Sequence, residues 1–387
     1  MMLSDIGGTG RRHARDFIVR GPRGVGKTVL LTRFHELGEA QGFDRISLQA
    51  TQGGVGMAAG ILAGADAYLR HGSPAWRRAT ETLHHLAAIT DSASGIRAEG
   101  LNADAQEAPL DPRALAQALA TVAQEIRCDA PGGGLLVTID ELQVSHAADL
   151  ALLAATLECL DAEHADSPVA FAASALLAIK EVLRDAGVTD AACRFEIPAI
   201  PVELDRPAAR FAIVEPARAR GVVWSEVGVE RLIAATHGYP AHVQLFADAA
   251  WKLAAGPREV TAHDVERGIA EAEQQVEART LEPRWRSVTD RHAELLAALA
   301  VTTRQTDRAY ATSAEISDVL GRPVNEWSAA RMQLIYASDI YAPARGCLAF
   351  TVPSYAPYVL REYEARRAEA RLELTALSVM SQRLSRT

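Results

Sequence analysis

Residues 16–31 read Asp16-Phe17-Ile18-Val19-Arg20-Gly21-Pro22-Arg23-Gly24-Val25-Gly26-Lys27-Thr28-Val29-Leu30-Leu31. The apolar residues Phe17, Ile18 and Val19 predict a short strand, followed by a glycine-rich turn and the apolar start of a helix. The turn, Gly21 to Thr28, has the spacing G-x-x-x-x-G-K-T of a phosphate-binding loop. Gly21, Gly24 and Gly26 let the backbone bend tightly, so that successive N–H groups turn onto an anion. Pro22, Arg23 and Val25 complete the loop. The following helix adds its positive N-terminal end. In this pattern Lys27 reaches the outer phosphates of a nucleotide, and Thr28 gives its hydroxyl to Mg²⁺. The chain has three lysines, Lys27, Lys180 and Lys252, and one of them falls where the loop requires it.

Working outward, Thr28 to Gln41 predicts a helix with Val29, Leu30, Phe34 and Leu37 as its buried stripe. Asp44 to Ala50 follows as a second strand. Gly53 to Leu69 and Trp76 to Thr90 read as helices, Asp91 to Asp111 as a surface loop, and Pro112 opens a helix to about Arg127. The run Leu135-Leu136-Val137-Thr138-Ile139 then leads into Asp140 and Glu141. This is a buried parallel strand that delivers two carboxylates at its C-terminal end. Ligands of open α/β sheets sit beyond the carboxyl ends of the strands, where the phosphate loop also lies. Asp140 there holds Mg²⁺ through water, and Glu141 polarises the attacking water. A helix from Ala147 to Glu163, a strand from Pro168 to Ala173, a helix from Ala178 to Asp185 and a short strand from Arg194 to Ile197 complete a doubly wound parallel sheet.

From Leu204 the strands stop. Four helical stretches, Arg206–Arg220, Ser225–Thr236, Pro240–Leu253 and Thr261–Val276, predict a small all-helical domain. After Glu282-Pro283 come the helix Val288–Val301, a capped helix ending at Leu320-Gly321, and a third helix from Asn325 to Tyr336. A hairpin turns around Pro343 to Gly346. That order is a winged helix, and a charged helix from Tyr355 to Leu377 ends the chain. The predicted organisation is an α/β phosphate-loop core over residues 1–202, a helical lid over 203–282, and a winged helix plus C-terminal helix over 283–387.

Composition narrows the function. The 387 residues carry a formal charge of −9, against a wholly basic nucleic-acid coat protein. From Arg284 onward there are 14 arginines against 11 acids, a balance of +3 that leaves −12 for the remainder. Cys128, Cys159, Cys193 and Cys347 are scattered, with no C-x-x-C, as expected of reduced thiols in a cytoplasmic protein. No apolar run approaches the ~20 residues that span a bilayer.

With these residues placed, the chain resembles AAA+ ATPases of the origin-recognition and archaeal-ATPase type, and shares features with the related STAND signalling ATPases. The resemblance implies ATP and Mg²⁺ as ligands and slow or partner-stimulated hydrolysis. Gly238-Tyr239-Pro240 resembles the G-x-P element near the base in STAND proteins, which assigns Pro240 to the nucleotide. Arg194 resembles an arginine finger, and implies ATP-dependent homo-oligomers in which it serves a neighbouring subunit. Ser174 falls where the family places a polar sensor of the γ-phosphate. Two features depart from the family. Only about fifteen residues precede the first strand, where the family has a longer segment over the base, so the start is truncated or adenine is held differently. The sensor arginine of the lid is not evident, and Ala241 and His242 stand near its place.

A DNA-reading helix would run from Asn325 to Tyr336, with Asn325, Ser328 and Arg331 outward and Arg322 and Arg345 on phosphates. So few cations predict weak, salt-sensitive binding. Two alternatives stay open. One is a STAND-like switch whose winged helix holds a protein partner. The other is a non-hydrolysing nucleotide-binding scaffold.

Overall fold

A computed structural model describes residues 2–13, 15–50, 60–61, 111–254 and 258–384. The chain divides into two units, Met1–Gly21 with Gly26–Ile200, and Pro22–Val25 with Pro201–Thr387. Of the expected helices at 53–69 and 76–90 and the loop at 91–111, only the helical pair Gly60–Ile61 and the cap Asp111 are described. The rest lie outside the described residues.

The first unit starts with α1 (Met2–Thr9), β1 (Asp16–Arg20), α2 (Lys27–Glu39) and β2 (Phe43–Gln49). After the undescribed stretch come α3 (Pro112–Asp129), β3 (Gly134–Asp140), a 3₁₀ turn (Leu142–Val144), α4 (Ala147–Glu163) and β4 (Val169–Ala175). It closes with α5 (Ile179–Asp185), the one-turn α6 (Ala191–Arg194) and β5 (Phe195–Glu196). The five strands form one parallel sheet in the order β2-β3-β4-β1-β5. Both faces are covered, which is why β3 and β4 are buried along nearly their whole length and mostly apolar rather than alternating. Leu135, Val137, Ile139, Val169, Phe171 and Ala173 point to the core shared with α3 and α4. Leu136 and Ala170 point the other way, into a cluster with Leu3, Ile6 and Phe43. The fold is that of a phosphate-loop α/β core.

The residues ahead of Asp16 belong to the core, because Leu3 and Ile6 bury one face of α1. One local expectation is corrected. On α2 the inward residues are Leu31, Phe34 and Gly38, at helical spacing, whereas Val29 is 73% and Leu37 42% exposed. The stripe was misplaced because Lys27, not Val29, sets the inward face: its side chain is buried at the start of the helix.

The second unit contains α7 (Arg206–Arg218), β6 (Val223–Trp224), α8 (Glu226–Thr236), α9 (Pro240–Leu253), β7 (Glu259–Val260) and α10 (Ala262–Val276). A π-helical turn (Glu277–Leu281) runs on into α11 (Glu282–Arg286). Next are α12 (Asp290–Thr306), β8 (Tyr310–Thr312), α13 (Ser313–Leu320), α14 (Val324–Tyr336), β9 (Ile340–Tyr341), β10 (Cys347–Phe350) and α15 (Tyr355–Leu384). Helix starts follow side-chain chemistry. Ser225 accepts from the Gly228 N–H, and Thr261 with Asp264 and Thr312 with Glu315 form reciprocal capping boxes. The helical stretch is not free of strands, since β6 and β7 pair in parallel across two residues. Near the C-terminus, β10 pairs with both β9 and β8, so the hairpin gains a third strand, Tyr310–Thr312. Strands of two or three residues are too short to show a period of two in sequence.

The first unit is stitched by four charges around the start of β1, of which the Arg12 and Asp16 side chains are buried and those of Arg194 and Asp161 half-buried. Arg12 donates to Asp16 at 2.5 Å and to Asp161 at 2.6 Å. Arg194 reaches Asp161 at 2.7 Å and Asp16 at 3.6 Å. This joins the lead-in of β1, its first residue, the end of α4 and the entry to β5. Burial pushes the Asp16 carboxyl up to about 6, against the pull of Arg12 and Arg194. A carboxyl that binds its proton more tightly when folded stabilises the fold below the ordinary value of 3.8 and loses that contribution as pH rises to about 6. In urea unfolding, the advantage of the wild type over Asp16→Asn should therefore shrink as pH rises from about 4 to 6. A difference that stays constant across that window would refute the proton uptake at Asp16.

Candidate nucleotide-binding site

Sheet order decides which side chains meet. β4 lies between β1 and β3, with Val19 level with Ser174 and Ile139 level with Ala173. Ser174 therefore stands between the end of β1, where the phosphate loop begins, and the end of β3, where Asp140 sits. Its hydroxyl donates to one Asp140 oxygen, Oδ1. From the start of α2, the Thr28 hydroxyl donates to the other, Oδ2, at 2.7 Å. Lys27, with its side chain 4% exposed, places Nζ 3.9 Å from Glu141 Oε1. Thr28, Lys27, Asp140, Glu141 and Ser174 are thus one group of side chains.

The loop has the backbone its sequence requires. Gly24 and Gly26 are left-handed, at φ 81° and 94°. A Cβ on Gly26 would meet nothing within 4 Å, so this glycine is needed for its dihedral and not for crowding. Gly26 is also the residue from which α2 starts. Two turns along α2, His35 Nε2 meets the Thr138 hydroxyl at 2.7 Å and fastens the helix to β3.

Glu141 is held in an uncommon conformation, φ 58° and ψ 40°. For a non-glycine residue this costs about 1 kcal/mol or more and persists only where neighbours impose it. Here its N–H donates to Asp140 Oδ1 at 3.0 Å and to Ser174 Oγ at 3.2 Å. A residue passed over in the sequence, Gln143, donates to Glu141 Oε2 at 2.7 Å. No motif marks it, and only its place two residues beyond the acidic pair hints at a role.

The remaining candidates have surroundings of their own. Arg194 does not open a strand. It ends α6, and Asp161 and Asp16 of its own chain engage its guanidinium. By its contacts the loop tip Pro22–Val25 belongs to the second unit, where the Tyr239 hydroxyl donates to the Arg23 carbonyl. Pro240 follows as the first residue of α9. Gly238 is left-handed, and a Cβ there would come within 2.4 Å of the Leu204 carbonyl oxygen. His242 lies against the Tyr239 and Phe246 rings, and burial pushes it down to about 4, so it is a neutral ring at pH 7 and not a substitute for a sensor arginine.

The candidate DNA contacts are dispersed. Arg322 pairs with Glu294, and Arg331 is half-buried, with a buried Nε that has no hydrogen-bond partner. Asn325 is exposed, and its carbonyl accepts from the Ser328 hydroxyl at 3.0 Å. Arg345 is exposed between β9 and β10. Among the described residues no group of three or more His, Cys, Asp or Glu could hold a metal ion, and no helix is long and apolar enough to cross a membrane.

Comparison with known proteins fits this geometry. Residues 3–171 match the AAA ATPase domain family, and residues 278–359 match a domain of unknown function (DUF8462). No curated protein matches the sequence. Among solved structures, the Aeropyrum pernix ORC2 protein, determined as ADPNP–ADP complexes, superposes with a TM-score of 0.56 at 14% identity, over 96% of this chain and 92% of that one. Cdc6p of Pyrobaculum aerophilum gives 0.45 at 12% identity over 93% and 91%. The Thermotoga maritima RuvB Holliday junction branch migration motor gives 0.41 at 12% over 90% and 88%. The sheet order, the loop with its acidic pair, and the family match over residues 3–171 together identify an AAA ATPase domain, in a chain that shares its fold with the archaeal ORC2 protein.

Proposed function

We propose that this protein is an ATP-binding and ATP-hydrolysing switch of the AAA+ type, whose C-terminal winged helix carries the output to DNA. One observation carries the nucleotide half of the proposal: Thr28 and Ser174 both donate to Asp140, with Lys27 beside Glu141. The donors suit Mg²⁺, being a hydroxyl and a carboxylate oxygen 2.7 Å apart and hard in character. Thr28 would hold the ion directly and Asp140 through water, and the bound ion would neutralise charge on the phosphate oxygens. The loop N–H groups and Lys27 bind and orient the outer phosphates. Glu141 takes the proton of the attacking water. Ser174 orients Asp140 and serves as the polar sensor of the γ-phosphate.

Arg194 enters differently. To reach the γ-phosphate of a neighbouring subunit it would have to leave both Asp161 and Asp16. We assign it to bracing β1 and β5, and oligomers, if they form, do not depend on it for turnover.

For the output, the winged-helix order of elements and the positive balance after Arg284 support DNA. A specific observation favours a protein partner as the second reading. The exposed residues of α14 include Asn325, Ala329, Gln333 and Tyr336, none of them cationic, and Arg322 is already paired with Glu294.

Lys27→Ala should abolish ATP binding, as measured by calorimetry, and retained affinity in a folded variant would remove the site. Glu141→Gln should keep ATP affinity and lose about 10²- to 10⁴-fold in turnover. A wild type without turnover, alone or with DNA, would instead leave a nucleotide-binding scaffold.

Arg194→Ala should lower stability by about 1 kcal/mol, because Asp16 and Asp161 lose one of their two partners and keep Arg12. Activity per subunit should not depend on protein concentration. A concentration-dependent rise that Arg194→Ala abolishes at unchanged thermal midpoint would restore the role in trans.

DNA affinity of the full chain, titrated against salt with and without ATP, separates the two outputs. A DNA-linked switch gives binding that falls steeply with salt and changes with ATP. Replacing Arg331 and Arg345 together should flatten the salt slope by about two units. No binding at low salt in either nucleotide state would assign the winged helix to a protein partner.

A further inference from the structure

The acidic pair is served by a side chain outside any recognised motif. Gln143 lies in the 3₁₀ turn that leaves β3, two residues after Glu141. Its Oε1 accepts the Leu176 N–H at 2.9 Å, immediately beyond β4. Its Nε2 donates to Glu141 Oε2 at 2.7 Å. The amide orientation follows from its partners. A backbone N–H can only donate, so the oxygen must face Leu176 and the nitrogen must face the carboxylate. One planar amide thus ties the Glu141 carboxylate to the end of β4, the strand that also carries Ser174.

We propose that Gln143 is a positioning residue for ATP hydrolysis, a clamp that fixes the Glu141 carboxylate against β4 with one oxygen toward Lys27. This rests on the proposed hydrolysis at Glu141. The left-handed backbone at Glu141 aims the side chain but leaves its own torsions free. Of the two carboxylate oxygens, Oε1 lies 3.9 Å from Lys27 Nζ, and Oε2 has the Gln143 bond. Lys27 would turn to the phosphates once a nucleotide binds, so Gln143 is the contact that can hold Glu141 through the reaction. Loss of such a restraint lets the base wander from the attacking water.

Two substitutions in the full chain separate the parts of the clamp. Gln143→Glu keeps an acceptor for Leu176 and removes the donor to Glu141. Gln143→Met, of similar length, removes both. Both should lower kcat by about 10- to 100-fold and leave KM for ATP and the thermal midpoint in place. In Gln143→Glu two carboxylates face each other and retain a proton, so the acid limb of the kcat profile should move up by about one pH unit. Gln143→Met should show no such move. In hydrogen exchange the Leu176 amide should stay protected in Gln143→Glu and lose protection in Gln143→Met. The clamp is overturned if kcat of either variant stays within about twofold of the wild type or rises. It is also overturned if kcat falls only together with ATP affinity or thermal midpoint, or if Gln143→Glu leaves the pH profile unmoved. A wild type that does not turn over ATP, or a Glu141→Gln variant as active as the wild type, brings down hydrolysis at Glu141 instead. The clamp is then judged by exchange alone, and equal Leu176 exchange in wild type and Gln143→Met overturns it.

Discussion

Asp140 is the junction on which the site depends. Its two oxygens accept from hydroxyls that come from different directions, Thr28 at the start of α2 and Ser174 on β4. The Ser174 bond depends on β4 lying between β1 and β3, because that order puts Ser174 level with the ends of both neighbours. A carboxylate at the end of a buried strand needs such partners, since burial without them is costly. The same two bonds therefore hold the acidic turn in shape and arrange the donors that suit a nucleotide with its ion.

Around this junction the charges of the first unit are divided. Lys27, Asp140 and Glu141 lie at the C-terminal ends of the strands, where ligands of α/β sheets sit. Arg12, Asp16, Asp161 and Arg194 gather around the start of β1 and the entry to β5, each acid shared between both arginines. Two arginines and two aspartates balance in charge, which is what lets Arg12 and Asp16 stay buried beside their half-buried partners. An arginine that looks like a free finger in sequence is in this way part of the frame that fixes β1.

The second unit shows a parallel division. Its helix starts are set by local chemistry, in the capping boxes at Thr261 and Thr312. Its packing is set by aromatic and backbone contacts that no short motif announces. Gly238 must be glycine because the Leu204 carbonyl passes too close for a side chain, and Leu204 in turn donates its N–H to the Gly238 carbonyl at 2.8 Å. A Gly-x-Pro that could be mere helix punctuation thereby acquires a tertiary reason. α14 itself carries one cation, Arg331, and Arg322, just ahead of the helix, is taken up by Glu294 of α12.

Sequence alone determined what depends on local geometry. The G-x-x-x-x-G-K-T spacing requires left-handed glycines and a helix behind them, and both are present. The apolar run before Asp140 dictates a strand buried on both faces. Caps and glycines placed most helix ends to within a few residues. What tertiary structure decided was everything that needs a partner distant in the chain. α1 is a helix that packs on Phe43, Leu136 and Ala170, partners that its own few residues do not reveal. The inward face of α2 depends on where Lys27 must go. Strands β5 to β9 are two or three residues long, too short for periodicity and held by the neighbours they pair with. Arg194 was legible as an arginine near a strand, but Asp161 and Asp16, which engage it, come from other parts of the chain. Gln143 was invisible for the same reason, because its amide gains meaning only when Leu176 arrives just past the end of the adjoining strand.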